Sequence, residues 1–183
     1  MEKVFVFLAD GFEEIEAISI IDVLRRANIP TQTVSITGNK HVHGAHKIPV
    51  QADILFDDAD FESAQMLVLP GGMPGAVNLD GHTALKDKLK HFHREGKYVA
   101  AICAAPLVLG GIDLLNGKHA TCYPGFEHTL KGARYTAEPV TVDGKIITGK
   151  GPGFATHFAL TLVEAIAGEL KAIEVAKGML LKD

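Results

Sequence analysis

The stretch Tyr98-Val99-Ala100-Ala101-Ile102-Cys103-Ala104-Ala105-Pro106 decides how this chain is read. Its first five residues carry no charge and are mostly apolar, the pattern of a strand buried on both faces. Pro106 suits the first turn of a following helix, where no N–H is needed. Cys103 stands at the junction, with Ala101 and Ala105 two residues away on either side. This is the small-x-nucleophile-x-small spacing of a nucleophile elbow, a strained strand-to-helix turn whose small neighbours let the nucleophile stand clear. Free N–H groups at the helix start favour a thiolate, which predicts a Cys103 pKa below the ordinary value of about 8.5. The competing reading is a small buried cysteine filling core space.

Outward from this stretch, short β-branched runs alternate with helical ones. Strands are predicted at 4–8, 33–36, 66–69 and 98–102. Helices are predicted at 13–28, 84–94, shortly after Ala104, at 154–167 and at 170–177. The turn-rich segment 39–60 holds a small hairpin, and Asp143-Gly144 marks another within 140–148. Strands alternating with helices predict an α/β fold with a mostly parallel sheet covered by helices on both faces, its site at the carboxyl ends of the strands. No repeat, low-complexity tract or linker divides the chain, so 1–183 is expected to be one domain.

Two other strand ends should open onto the edge that carries Cys103. Pro70-Gly71-Gly72-Met73-Pro74-Gly75 follows the strand at 66–69, and its glycines let backbone N–H groups approach a bound group. The N–H groups of Gly72 and Ala104 could then form an oxyanion hole. Gly11-Phe12-Glu13-Glu14-Ile15-Glu16 follows the first strand. Glu13 and Glu14 read as ordinary acidic residues at a helix start. Glu16 differs, because it heads a stripe with Ile20, Val23 and Ala27 that is otherwise apolar. Burial beside a thiolate would keep its carboxyl protonated, and the two groups would share one proton.

Composition narrows the function classes. The 183 residues are 47% hydrophobic and 22% charged, with a net charge of -4. A chain of this balance folds, and it has no basic footprint for nucleic acid or an anionic membrane. Two cysteines do not make a secreted disulfide scaffold. The longest uncharged stretch, 98–112, is too short to span a membrane and is broken by Pro106 and Gly110-Gly111. Met1-Glu2-Lys3-Val4 lacks the features of a signal peptide, so a cytoplasmic location is expected. His41, His43 and His46 fall in what reads as an exposed hairpin, and no metal site is expected there. His91 and His93 are two apart on a helix and share no face. Cys122 reads as a buried core cysteine, and Asp22 with Arg26 as a helical ion pair.

Taken together, Ala9-Asp10-Gly11-Phe12-Glu13-Glu14-Ile15-Glu16, Val68-Leu69-Pro70-Gly71-Gly72, Ala100-Ala101-Ile102-Cys103-Ala104-Ala105-Pro106 and Gly151-Pro152-Gly153 resemble the ThiJ/PfpI family, within the class I glutamine amidotransferase-like superfamily. The order of the motifs is the family's and spans nearly the whole chain. The Ala-Ile-Cys-Ala form and the ending Leu180-Leu181-Lys182-Asp183 are most similar to the branch of the human Parkinsonism-linked protein. The resemblance implies a flavodoxin-like three-layer sandwich, a homodimer, Cys103 as reactive cysteine and Glu16 as its partner. It also places Gly71, Tyr123, Gly151 and Pro152 around the pocket.

The activities implied are glutathione-independent glyoxalase chemistry, repair of early glycation adducts, chaperone behaviour, oxidative-stress sensing and proteolysis. Nothing in the sequence supports thiamine-thiazole biosynthesis. The chain departs from the family at two useful places. The protease-like branch has His directly after the nucleophile, where this chain has Ala104. The Parkinsonism-linked branch has His where this chain has Tyr123. A general base must then be Glu16, another histidine such as His128, or a group from a second subunit. The first expectation is a cofactor-independent cysteine enzyme that converts small reactive carbonyls, methylglyoxal among them, to hydroxy acids. The rival from another class is a redox-responsive stress protein or chaperone in which Cys103 oxidises. A cysteine hydrolase is third, disfavoured by Ala104.

Overall fold

The computed structural model describes residues 3–181. Met1 and Glu2, part of the reading at the start of the chain, and Lys182 and Asp183, the last residues of the family-like ending, lie outside the described residues. In chain order the first half comprises β1 (Lys3–Leu8), α1 (Glu14–Arg26), β2 (Thr31–Ser35), β3 (His41–His43), β4 (Pro49–Gln51), β5 (Ile54–Leu55), β6 (Ala64–Leu69), α2 (Gly75–Asp80) and α3 (Thr83–Arg94). The second half comprises β7 (Tyr98–Ile102), α4 (Pro106–Gly111), β8 (His119–Ala120), β9 (Arg134–Tyr135), β10 (Val140–Asp143), β11 (Ile146–Gly149), α5 (Ala155–Ala167) and α6 (Glu169–Gly178).

The central sheet has seven strands in the order β10-β11-β7-β6-β1-β2-β5. Its neighbours pair in parallel except β10 with β11, the hairpin announced by Asp143-Gly144. Alternate side chains of its strands feed two separate cores. Phe5, Phe7, Leu67, Leu69, Val99 and Ala101 pack with Leu85, Leu89 and Phe92 of α3 and with Val108 and Leu109 of α4. Val4, Val6, Met66, Val68, Ala100 and Ile102 pack with Ile20, Val23 and Leu24 of α1 and with Phe158 and Leu162 of α5. Each buried large side chain contributes about 1.5–3 kcal/mol. This two-sided demand is why β1, β6 and β7 read as unbroken apolar runs, and it yields the three-layer α/β sandwich.

The predicted elements are all present, with boundary shifts at their ends. The helix expected over 13–28 spans Glu14–Arg26: Glu13 caps it, and Asn28 turns left-handed at φ 58. The segment 39–60 contains the β3–β4 hairpin. The helix α2 and the strands β5, β8 and β9 were not foreseen. The strands among them are two residues long, below the length at which a period can be recognised. Among the described residues no helix is long and apolar enough to cross a membrane.

Candidate active site

The elbow is present. Cys103 adopts φ 64, a left-handed conformation that a non-glycine residue holds only when its surroundings impose it. Those surroundings are two hydrogen bonds. The Cys103 N–H donates to the Gly149 carbonyl at 2.9 Å, and its carbonyl accepts from the Tyr123 N–H at 2.8 Å. The N–H groups of Gly72 and Ala104 face the thiol, the pair expected from sequence.

Glu16 reaches this point from the first turn of α1, which packs on the same side of the sheet as Cys103. Its residue is fully buried on the stripe with Ile20, Val23 and Ala27, as the period predicts. Glu13 orients it. The Glu13 carboxylate accepts the Glu16 N–H at 2.7 Å, and the Glu13 N–H donates to the Gly71 carbonyl at 2.9 Å. The start of α1 is thereby tied to the glycine loop. Glu16 Oε2 accepts the Gly71 N–H at 2.8 Å. Glu16 Oε1 is buried without a hydrogen-bond partner, and the Cys103 thiol is the ionisable group that lies beside the carboxyl. Gly71 is required for this contact. A Cβ there would stand 2.5 Å from Cys103 Cβ and 2.7 Å from Glu16 Oε2.

Burial pushes the Glu16 carboxyl up to about 7, against the pull of the Cys103 thiol and the Gly71 N–H and with help from the Glu13 charge. The Cys103 thiol is pushed up to about 12, by burial first and then by the charge and hydrogen bond of Glu16, while the Gly72 and Ala104 N–H groups pull it down. The direction at Cys103 is opposite to the sequence-based expectation of a thiol below its ordinary value, whereas the raised Glu16 carboxyl agrees with the expectation of a buried group that holds its proton. The reason is physical: Cys103 is only 8% exposed and α4 is six residues long, so a short helix and two N–H groups do not outweigh burial beside a carboxylate. The sharing of one proton near neutral pH remains.

Tyr123, Gly151 and Pro152 come together, with Pro124, Lys150, Gly153 and Phe154, as the walls of a cleft of about 280 Å³. His128 is exposed on a short turn, and no hydrogen bond joins it to Cys103 or Glu16 among the described residues. Cys122 is fully buried, and both cysteines are free.

Sequence reasoning missed Glu14. It is buried, and its carboxylate accepts the His46 N–H at 2.7 Å and meets His46 Nδ1 at 2.8 Å. Burial pushes Glu14 up, but the hydrogen bonds from His46 and from backbone N–H groups outweigh it and hold the group below its usual range. His46 is raised in turn by that bond and charge. The three hairpin histidines thus do not converge. One ligand atom each from Glu13, Glu14 and His46 lie within 4.8 Å of one another, which makes these the residues with metal-ligand geometry. No local signal links Glu14 to a loop so far along the chain.

Known proteins place this arrangement. The family model described as DJ-1/PfpI family matches residues 2–165. The Arabidopsis thaliana protein DJ-1 homolog B is 38% identical over 99% of this chain, which covers 42% of that longer protein. The chain therefore spans less than half the length of that relative. The Schizosaccharomyces pombe protein named glutathione-independent glyoxalase DJ-1 is 31% identical, with 98% of each chain covered. The solved structure of oxidized Toxoplasma gondii DJ-1 is 37% identical, covers all of both chains and superposes with a TM-score of 0.96. A family match over most of the length, joined to full-length identity above 30% and a shared fold, means that this chain belongs to the DJ-1/PfpI family.

Proposed function

We propose that this protein is a cofactor-independent cysteine enzyme that converts small 2-oxoaldehydes to 2-hydroxy acids, with Cys103 as nucleophile and Glu16 as acid and base. The observation that carries the reading is the buried Glu16 carboxyl, raised to about 7 and packed with the elbow cysteine against Gly71. A base poised near the working pH transfers protons most effectively. The similarity to a protein named as a glutathione-independent glyoxalase supports the same chemistry.

The ionised Glu16 takes the Cys103 proton as sulfur adds to the aldehyde carbon. The C–S bond forms, and the carbonyl π pair moves to oxygen, which takes the proton back from Glu16. The hemithioacetal then loses its C–H proton to Glu16, while the adjacent ketone oxygen is protonated to give an enediol. Glu16 returns that proton to the adjacent carbon, while the hydroxyl on the sulfur-bearing carbon gives its proton to the water that protonated the ketone oxygen and becomes the C=O of a 2-hydroxy thioester. Water releases the hydroxy acid and restores the thiol. Methylglyoxal plus water becomes lactate with no external oxidant or reductant. The Gly72 and Ala104 N–H groups stabilise the developing oxyanion, Gly71 leaves room for Cys103 beside Glu16, and Tyr123, Gly151 and Pro152 line the adjoining cleft. Lactate formation from methylglyoxal, followed by NMR in native protein and Cys103→Ser, tests the reading. Absence of lactate, or equal lactate in both proteins, overturns it.

A redox-responsive stress or chaperone role is the second reading, supported by the similarity to a protein whose structure is of its oxidized form. Two equivalents of hydrogen peroxide would convert the Cys103 thiol to a sulfinic acid, releasing two of water, with Glu16 as the hydrogen-bond partner. Mass spectrometry that finds Cys122 rather than Cys103 gaining two oxygens would overturn it. We further infer one domain over the whole chain, a cytoplasmic setting and a homodimer. The dimer reading rests on α1, where Ile15 is 58% and Ile18 46% exposed, and on Ile48, 56% exposed in the hairpin loop bound to Glu14. Sedimentation at the monomer mass of 19.6 kDa at micromolar concentration would overturn the dimer.

A further inference from the structure

We propose that the cleft between Tyr123 and Phe154 selects 2-oxoaldehydes bearing an apolar, ring-sized substituent over methylglyoxal. This rests on the reading of Cys103 as a carbonyl-adding nucleophile and names the substrate class of that site.

Both walls of the cleft spring directly from the backbone of Cys103. Tyr123 begins one wall and donates its N–H to the Cys103 carbonyl at 2.8 Å. Gly149 accepts the Cys103 N–H at 2.9 Å, and Lys150 and Gly151 continue from it as the other wall. The walls close on each other at Gly151, where a Cβ would stand 3.1 Å from the Tyr123 ring. The Cys103 backbone is hydrogen-bonded to both walls, which sets this cleft next to the elbow as the space for whatever a substrate carries beyond the two carbonyl carbons.

Room and lining set what that substituent is. The cleft volume of about 280 Å³ matches about nine water-sized groups at about 30 Å³ each. Methylglyoxal has five non-hydrogen atoms, two of them the carbonyl oxygens, and leaves most of this space to water. Phenylglyoxal has ten. Four of the seven lining residues are rings: Tyr123, Pro124, Pro152 and Phe154. Tyr123 is 45% and Phe154 37% exposed, so both rings have surface to cover a planar group. Lys150 is the one charged residue in the lining, and its Nζ already donates to the Ala137 carbonyl at 3.0 Å. A neutral apolar substituent fits this lining better than a carboxylate or phosphate tail.

The ratio of kcat/KM for phenylglyoxal to that for methylglyoxal, measured within one protein, reads the preference independently of how much of a variant is active. The native ratio is expected to be about tenfold or more in favour of phenylglyoxal, the scale of burying part of one ring. Tyr123→Ala and Phe154→Ala should each lower that ratio severalfold, and Tyr123→Phe should keep it. A native ratio at or below one, or a ratio unmoved in both alanine variants, overturns the inference. A binding measurement separates this from failure of the glyoxalase reading. Acetophenone and acetone, neither turned over, are compared as protectors of Cys103 against iodoacetamide. Acetophenone should protect at about tenfold lower concentration in native protein, with the advantage lost in Tyr123→Ala. Equal protection sinks the cleft preference even if methylglyoxal is turned over. Selective protection without turnover of either oxoaldehyde sinks the enzymatic reading and leaves the cleft preference standing.

Discussion

Cys103 and Cys122 are both buried, both free and both poor acids at rest, yet their surroundings differ in kind. Burial and the Glu127 charge push Cys122 up to about 11, and Cys103 goes to about 12. Acidity alone does not single out Cys103. The difference lies in what stands beside each sulfur. Cys103 has a carboxyl that can take its proton and two backbone N–H groups that can hold the resulting charge. Cys122 is fully covered in the core with Leu115, Ala120 and Leu130 among the residues of its cluster. Nucleophilicity here is a property of a proton-accepting partner and a strained turn, rather than of a thiol with a low pKa.

Removing the proton acceptor should produce the largest effect. Glu16→Gln keeps the shape but cannot accept and return a proton, so methylglyoxal turnover should fall by about 10²–10⁴. The same variant removes the carboxylate that raises the Cys103 thiol. Its thiol pKa should fall, and iodoacetamide should alkylate it faster at pH 8 than in native protein. Retained turnover would show that Glu16 is not the base, and slower alkylation would show that its charge does not hold the thiol proton.

Between the two cysteines of native protein, alkylation should favour Cys103 by about 100-fold, since Cys122 reacts only through opening of the core. Peptide mapping after timed alkylation gives the ratio, and near-equal rates would erase the distinction between elbow and core.

Stability should show the cost of the buried carboxyl. Glu16 is raised from the ordinary 4.5 to about 7 in the folded chain, so the folded state holds its proton more tightly than the unfolded state. Stability therefore falls as pH rises from about 4.5 to about 7, and ionised Glu16 costs about 3 kcal/mol above that window. Denaturant melts of Glu16→Gln should show a gain of up to about 3 kcal/mol at pH 8 that vanishes at pH 4. A gain equal at both pH values would place the effect in packing. Turnover should follow the same group in the opposite sense. Below about 7 the base is protonated, so kcat/KM should fall about tenfold per pH unit, and a flat profile from pH 5 to 8 would break the assignment.

The smallest effect belongs to the hairpin. His46→Ala removes an exposed partner of Glu14 and should leave the denaturant midpoint almost unchanged near neutral pH. Retention of the native Cys103 alkylation rate in this variant would separate the strap from the elbow.

What the sequence by itself determined is local. Ala101 and Ala105 around Cys103 announce a tight turn because steric room within five residues decides it. The burial of Glu16 follows from a helical period that needs no knowledge of the partner. The apolar runs of β1, β6 and β7 announce a sheet covered on both faces. Tertiary structure decided what depends on contacts between distant segments. It brought Gly71, Glu16 and Cys103 together by pairing β6 with both β1 and β7. It joined Glu14 to His46, and it set Phe154 opposite Tyr123 across a cleft. It also raised the Cys103 thiol where the local pattern had lowered it. A local view counts the N–H groups of a helix start, whereas the balance is struck by desolvation and by a carboxylate from another element, both created only when the layers close.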